Sequence, residues 1–529
     1  MTTPPHPFSA DLGPERSRRD RASLQSRRRP WDVLVVGGGV TGVGVALDAA
    51  SRGLTVALVE AEDLAFGTSR WSSKLVHGGL RYLASGNIRI AWESAVERHN
   101  LMTTIAPHLV SPVAQVVPSY SAGHGTAGPG MRGRVDAAIG SALVGTGFAV
   151  GDLLRRGART PADVLAHPAR ISASEVIAAC PAVETEGLRG GWRSYDGQLV
   201  DDARLVVAIA RTAAAHGAAI CTRMRATEVT GQGATVIDGT TGDHLDIRAR
   251  TVINATGVWA GTVDDSITVR PSRGTHLVFD AATLGYPTGA LTVPIPGARN
   301  RFVFALPEQL GRVYAGLTDV DAPGPVPAVP QASDDEIDSI IATLNTALAR
   351  PVSRDDVIGT FAGLRPLLQA DGETADLSRE HSVTVGDDGL VTVVGGKLTT
   401  YRTMAADAVD AAVARARLDA HPCVTDSIPL VGAHGTRNRR LPASLIARFG
   451  GESDRVVQGA TISAPLGPIA PGIDVTRAEV EFAITAEGAV DADDILHRRT
   501  RIGLVAADAD RARPAVTHLL DQVLAAHIG

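Results

Sequence analysis

The run Gly37-Gly38-Gly39-Val40-Thr41-Gly42, followed further on by Glu60, has the residue types and spacing to hold a dinucleotide. It fits G-x-G-x-x-G, and each glycine has a physical task. Gly37 permits a tight turn, Gly39 lets the backbone approach a pyrophosphate, and Gly42 lets a helix pack closely on a strand. Val40 and Thr41 lie in this turn, and the helix N-terminus after it supplies amide donors and a positive dipole end to the phosphates. Glu60 closes the next apolar run and can accept hydrogen bonds from ribose hydroxyls. Glycine turns are common, and a plain βαβ turn is the bland alternative. The flanking pattern carries the stronger reading, although nothing at Glu60 chooses between FAD and NAD.

These residues need a scaffold, and the surrounding pattern supplies one. Asp32 to Val36 is a short apolar run of the kind that forms a buried parallel strand. Val43 to Arg52 reads as a helix ended by Gly53, and Leu54 to Glu60 as a second strand. Val252 to Asn254 reads as another strand, turning at Ala255-Thr256-Gly257. Residues 266–320 alternate as strands do, and Gly197–Gly217, Ser333–Ala349, Thr403–Leu418 and most of 420–529 look helical. Residues 1–30, rich in Pro, Ser and Arg, read as a disordered basic tail, or more sharply as a patch for anionic lipid.

Bulk properties exclude several classes. The chain has 529 residues, 44% hydrophobic and 20% charged, which suits about three globular domains. A formal net charge of -6 argues against nucleic-acid binding by bulk electrostatics. Three scattered cysteines, Cys180, Cys221 and Cys423, form no metal spacing and no disulfide framework. Ala137 to Gly151 is the longest weakly charged stretch, too short and glycine-rich for a membrane span, and no signal peptide is visible. The expected location is the cytoplasm or the cytoplasmic face of the membrane.

Several longer motifs carry a resemblance. Gly67-Thr68-Ser69-Arg70-Trp71-Ser72-Ser73-Lys74-Leu75-Val76-His77-Gly78-Gly79-Leu80-Arg81-Tyr82-Leu83 resembles the signature of FAD-dependent glycerol-3-phosphate dehydrogenases. So do Tyr195-Asp196-Gly197-Gln198, Gly363-Leu364-Arg365-Pro366-Leu367, Val394 to Arg402, and Arg498-Arg499-Thr500-Arg501 near the C-terminus. The Ala255-Thr256-Gly257 turn is similar to that of flavoproteins of the glutathione-reductase type. The chain departs from the family at Trp71, at Ala305 to Glu308, at Leu317 and through 119–165.

The resemblance implies a discontinuous α/β FAD-binding domain of Rossmann type (31–110, 196–265, 380–415), similar to glutathione reductase and D-amino-acid oxidase. An α+β substrate cap (111–195, 266–379) and a C-terminal helical domain (416–529) complete it. It implies oxidation of sn-glycerol 3-phosphate to dihydroxyacetone phosphate, with hydride passing to flavin N5 and electrons to a membrane quinone. Peripheral contact with the membrane follows from that acceptor, and a homodimer is implied through the C-terminal module. For FAD it assigns Thr68, Ser69, Ser73, Lys74, Leu75, His77 and Gly79 in the long signature. Ala226 is expected beside the adenine, Ala255 and Gly257 at the second turn, and Gly396, Leu398 and Thr399 beneath the isoalloxazine.

The implied substrate sets the remaining chemistry. A phosphate dianion needs fixed cations, and Arg81, Arg365, Arg379 and Lys397 are expected to supply them, with Tyr82 and Asp319 at the same site. For any one arginine an ordinary ion pair is the competing reading. His276 is the first choice for the base that takes the hydroxyl proton, with Asp319 to orient it, and His77 is the second. Arg365 and Lys397 are also expected to stabilise the developing alkoxide. Three alternatives stay open: an oxidase using O2, a flavin amine or amino-acid oxidase, and a flavin-binding protein without activity.

Overall fold

The computed structural model describes residues 9–79, 87–121, 130–296, 301–369, 380–436 and 438–528, with backbone alone for 130–143 and 527–528. Two sheets organise it. In the first, Val391–Gly395, His244–Asn254, Trp31–Val36, Val56–Val59 and Ala219–Cys221 run parallel in that spatial order, and His381–Val385 adds antiparallel at one edge. Alternation along the central strands explains why both faces are covered. Val33, Val35, Val56 and Leu58 enter one core, against the helices Val40–Ser51, Asp202–Ala215 and Tyr401–Ala416. Leu34, Val36, Ala57 and Val59 enter the other, under the antiparallel pair Met224–Thr230 and Gly233–Asp238.

The glycine turn therefore sits at the carboxyl end of a central strand, where open α/β sheets bind ligands. At Gly42 an added Cβ would lie 1.9 Å from the Gly37 carbonyl oxygen, so only glycine lets this helix seat.

The second sheet is mostly antiparallel. Its order is Val320–Asp321, Val269–Asp280, Arg312–Gly316, Phe302–Glu308, Ala290–Pro294, Val110–Tyr120, Leu188–Leu199, Leu75–Val76. Val357–Leu368 pairs along Val269–Asp280, setting Arg365 opposite Ser272 and His276 opposite Phe361. The helix Asp334–Asn345 covers it with Ile340 and Leu344 against Leu277, Val293 and Val313. The C-terminal helices, among them Arg477–Thr485 and Ala506–Ile528, close around Val480, Ile484, Leu496, Val516 and Leu519.

Four sequence expectations change. Residues 14–26 form a helix, Pro14–Ser26, and are not a disordered tail. Arg16 pairs with Asp20 one turn on, donates to the Ala218 carbonyl at 2.7 Å, and Asp20 accepts from the Ile220 amide at 3.1 Å. Arg16 and Asp20 thus tie this helix to the edge strand of the first sheet, while Arg18, Arg19, Arg28 and Arg29 stay exposed. Gly197 to Leu199 belong to a strand, and the helix begins at Asp202. Because that strand starts at Leu188, the expected boundary at 195/196 cuts through it. Finally, Ala137 to Gly151, read only as a short weakly charged stretch, lies inside one long helix, Gly130–Gly157.

Candidate active site

One cavity of about 1220 Å³ opens between the two sheets and takes walls from both. It exceeds the usual few hundred to ~1,000 Å³ of a small-molecule pocket, which leaves room for a dinucleotide and a small second ligand. Gly37, Gly39, Val40, Thr41 and Glu60 line one end, with Ala226 on the neighbouring strand and Ala255 and Gly257 at the second turn. Gly39 offers the following helix no N-cap side chain, so its first-turn amides other than that of Val40, which bonds Ser69, face the phosphate oxygens. Glu60 accepts from the Gly38 amide at 2.6 Å and the Glu62 amide at 2.8 Å, while burial pushes its carboxyl up. Gly42 lies behind this surface and serves the helix packing alone.

The segment after Glu60 forms a second wall. Ser69 Oγ accepts from the Val40 amide at 2.9 Å, and Thr68 Oγ1 donates to the Leu364 carbonyl at 2.6 Å, tying this loop to both sheets. Thr68, Ser69, Ser73, Leu75, His77 and Gly79 all reach the cavity. Lys74 does not. Its ammonium is buried, 3.0 Å from Asp202 and bonded to the carbonyls of Arg70 and Ser72, so the expected cofactor contact is replaced by an internal ion pair. Trp71, the odd residue of the signature, fills space against Phe361, and a Cβ at Gly363 would lie 2.7 Å from it. On the opposite side Gly396, Leu398 and Thr399 line the cavity just before the helix Tyr401–Ala416. Gly396 has φ +74°, and a Cβ there would strike the Met404 sulfur, so glycine is required. A glycine-lined cradle at one helix N-terminus and a second close backbone approach across from it fit a flavin dinucleotide.

The polar groups of the remaining wall fall into three clusters. His77 Nδ1 lies 3.0 Å from Asp196 Oδ2, and its side chain is 45% exposed toward the cavity, so Nε2 is the nitrogen left for a ligand. Asp196 also takes Arg98 at 2.7 Å and the amides of Gly78 and Gly197 at 3.1 Å each. Burial works against this carboxylate, but Arg98 and the His77 ring hold its pKa below the ordinary value. A Cβ at Gly78 would lie 2.1 Å from the Arg98 guanidinium, which explains a glycine there.

His276 is built differently. It is 1% exposed, stacks on Phe361 at 4.6 Å, and its Nε2 lies 2.9 Å from Ser73 Oγ. Burial, and after it Lys74 and Arg365, press its pKa well below the normal imidazole value. Arg365 forms the third cluster. It donates to Asp319 at 2.7 Å and to the Thr318 carbonyl at 3.2 Å, in space left by Gly274. Asp319 thus orients Arg365, not His276 as expected. Lys397 lines the cavity and donates to the buried Ser94 hydroxyl at 2.6 Å. Arg81, Tyr82 and Arg379 lie outside the described residues.

Asp196, Arg98 and Ser94 were not expected in the site. Asp196 stood inside a recognised motif, so its signal was present; Arg98 and Ser94 lie on a helix, Ile88–Asn100, with no chemical signature. Among the described residues no helix is long and apolar enough to cross a membrane, and no His, Cys, Asp and Glu cluster could hold a metal ion.

Comparison with known proteins gives consistent matches. The family model "FAD dependent oxidoreductase" matches residues 32–402, and "C-terminal domain of alpha-glycerophosphate oxidase" matches 423–527. The chain is 54% identical over 517 residues to glycerol-3-phosphate dehydrogenase 1 of Mycobacterium tuberculosis, covering 96% of this chain and 97% of that protein. It is 34% identical to a probable mitochondrial glycerol-3-phosphate dehydrogenase of Caenorhabditis elegans, over 96% of this chain and 72% of that one. The crystal structure of the glycerol-3-phosphate dehydrogenase from Bacillus halodurans complexed with FAD superposes with a TM-score of 0.71 at 25% identity, covering 96% and 94% of the two chains.

Proposed function

Because this chain belongs to the FAD-dependent glycerol-3-phosphate dehydrogenase family, we propose that it oxidises sn-glycerol 3-phosphate to dihydroxyacetone phosphate and passes the electrons to a membrane quinone. FAD is the cofactor, held by the Gly37 to Thr41 turn, Glu60, the Thr68 to Ser73 wall and the Gly396 to Thr399 turn. When bound, it supplies the acceptor for the electron pair and hydrogen leaving the alcohol carbon.

The observation that carries the reading is the pairing, in one dinucleotide-sized cavity, of an oriented guanidinium with a carboxylate-held imidazole. Arg365, fixed by Asp319 and the Thr318 carbonyl, suits a phosphate dianion through its planar fork. Lys397 adds charge on the flavin side of the cavity. For the base, the geometry favours His77 over His276. Asp196 fixes the His77 tautomer and favours the imidazolium that forms when Nε2 takes the hydroxyl proton. His276 has cations as its charged neighbours and lies buried, which disfavours a gained proton. Its role in this reading is to position Ser73 at the cavity wall.

The quinone acceptor is supported by a surface beside the cavity. Ile88, Trp92 and Leu153 are 69%, 47% and 63% exposed, on two helices that meet where Trp92 packs on Gly157. Val150 and Gly151 of the second helix line the cavity itself. An exposed apolar face next to the redox site suits contact with lipid, where a quinone resides. The match of residues 423–527 to the C-terminal domain of an oxidase favours a second reading, with O2 as acceptor.

Anaerobic mixing of the purified holoenzyme with sn-glycerol 3-phosphate tests the substrate: the visible flavin band should bleach within seconds. A flavin that stays oxidised would sink the proposal. Oxygen consumption by the reduced enzyme, measured with and without a soluble quinone, separates the two acceptors.

A further inference from the structure

Arg498-Arg499-Thr500-Arg501 contributes nothing to the cavity wall, yet its three arginines are 4%, 3% and 1% exposed. Arg498 Nε lies 2.6 Å from Asp63 Oδ2, and Arg499 forks onto both Asp63 oxygens at 2.9 Å each. Asp63 is itself 1% exposed. Arg501 donates to the Arg70 carbonyl at 2.6 Å, pairs with Asp201 at 3.1 Å, and lies over the Trp71 ring at 5.2 Å. Asp63 and Arg70 bracket the loop whose Phe66, Gly67, Thr68 and Ser69 face the cavity, and Glu60 lies just upstream.

The C-terminal module therefore grips the outer side of a loop whose inner side meets the cofactor. Burying three cations is a poor route to stability alone, since apolar side chains of similar volume do as well or better. Bidentate, charge-assisted bonds do something apolar packing does not: they fix direction and register. The two anchor points are the ends of the cofactor loop. We infer that Asp63, Arg499 and Arg501 are positioning residues for FAD, and that the C-terminal module is part of the flavin site through this clamp. The inference takes FAD as the bound cofactor and is independent of the substrate and of the base.

A second buried fork in the same seam provides the control. Arg204, on the helix Asp202–Ala215, meets Glu487 of the C-terminal module at 2.8 and 3.1 Å. It joins the same two bodies without touching the loop; Arg204 also donates to the Arg499 carbonyl at 3.1 Å and Arg499 to the Glu487 carbonyl at 2.9 Å, bonds that a change confined to the Glu487 side chain leaves in place. The experiment uses full-length holoenzymes carrying Asp63→Asn, Arg501→Met, the milder Arg499→Lys, or Glu487→Gln. Two quantities are read: the rate at which free flavin fluorescence appears on dilution, and the melting temperature. The clamp requires that Asp63→Asn and Arg501→Met release FAD roughly 5- to 150-fold faster, with Arg499→Lys at the lower end. Glu487→Gln lowers the melting temperature and leaves release within about twofold of wild type, well below that coupling range. Should Asp63→Asn not fold, the comparison rests on Arg499→Lys against Glu487→Gln. Unchanged release in the clamp variants, or equal acceleration in Glu487→Gln, overturns the inference, because the seam would then hold the module and nothing more.

Discussion

Two histidines face the same cavity from opposite electrostatic settings. His77 is half-open, with a carboxylate on Nδ1 and that carboxylate held by Arg98. His276 is closed, stacked on Phe361, with the Lys74 ammonium 4.7 Å from the same ring and Arg365 nearby. One ring has a carboxylate beside it, and the other lies buried near two cations that resist its protonation. The difference comes from what surrounds each ring: residue type alone, or a pKa near neutrality, does not assign a base.

The largest expected effect breaks the His77 wall. His77→Asn should slow flavin reduction by sn-glycerol 3-phosphate on the order of 10²- to 10⁴-fold, measured by anaerobic stopped flow, whereas His276→Asn should cost far less. Reversed magnitudes would return the base to His276. On the other wall, Lys74→Met leaves Asp202 buried without its partner and should cost about 3–5 kcal/mol of stability, read by chemical denaturation. The enzyme that remains folded should reduce its flavin at close to the normal rate. Asp196→Asn sharpens the comparison: an amide cannot favour the imidazolium, and a loss of roughly 10- to 100-fold is expected, in kcat more than in KM.

The smallest effect is a pH slope. His276 stays neutral in the folded protein, while the unfolded imidazole takes a proton below about pH 6.5. The unfolded chain then binds more protons, so stability falls with pH below that value, by up to about 1.4 kcal/mol per pH unit. His276→Asn should flatten this slope in denaturation curves taken between mildly acidic and neutral pH. Asp196, with its lowered pKa, contributes in a separate window: its stabilisation is complete above about pH 4 and is lost as pH falls through the folded value.

Local patterns in the chain were enough to bring together one end of the cavity. Gly37, Gly39, Val40, Thr41, Glu60, Ala255 and Gly257 all line it, because a strand–turn–helix unit fixes phosphate geometry within a short stretch. Arg365 and Lys397, expected from the substrate that the family resemblance implies, line the cavity too. Other assignments failed where a partner came from far away. Lys74 sits in a cofactor motif, but Asp202 draws its ammonium inward. Asp319 was set beside His276, yet pairing of the strands Val269–Asp280 and Val357–Leu368 brings Arg365 to it first. Arg16, in the N-terminal run of arginines, looks solvated until the Ala218 carbonyl, just before the edge strand Ala219–Cys221, takes its guanidinium.

The sequence by itself determined the cofactor turn, the alternation that buries both faces of the first sheet, and the family motifs, since each depends on neighbours within a few residues. Only the tertiary structure decided which histidine meets a carboxylate, which cation faces the cavity, and that the C-terminal arginines reach Asp63. Those outcomes rest on charges brought together across hundreds of residues, where burial strengthens each pairing and no local pattern records it.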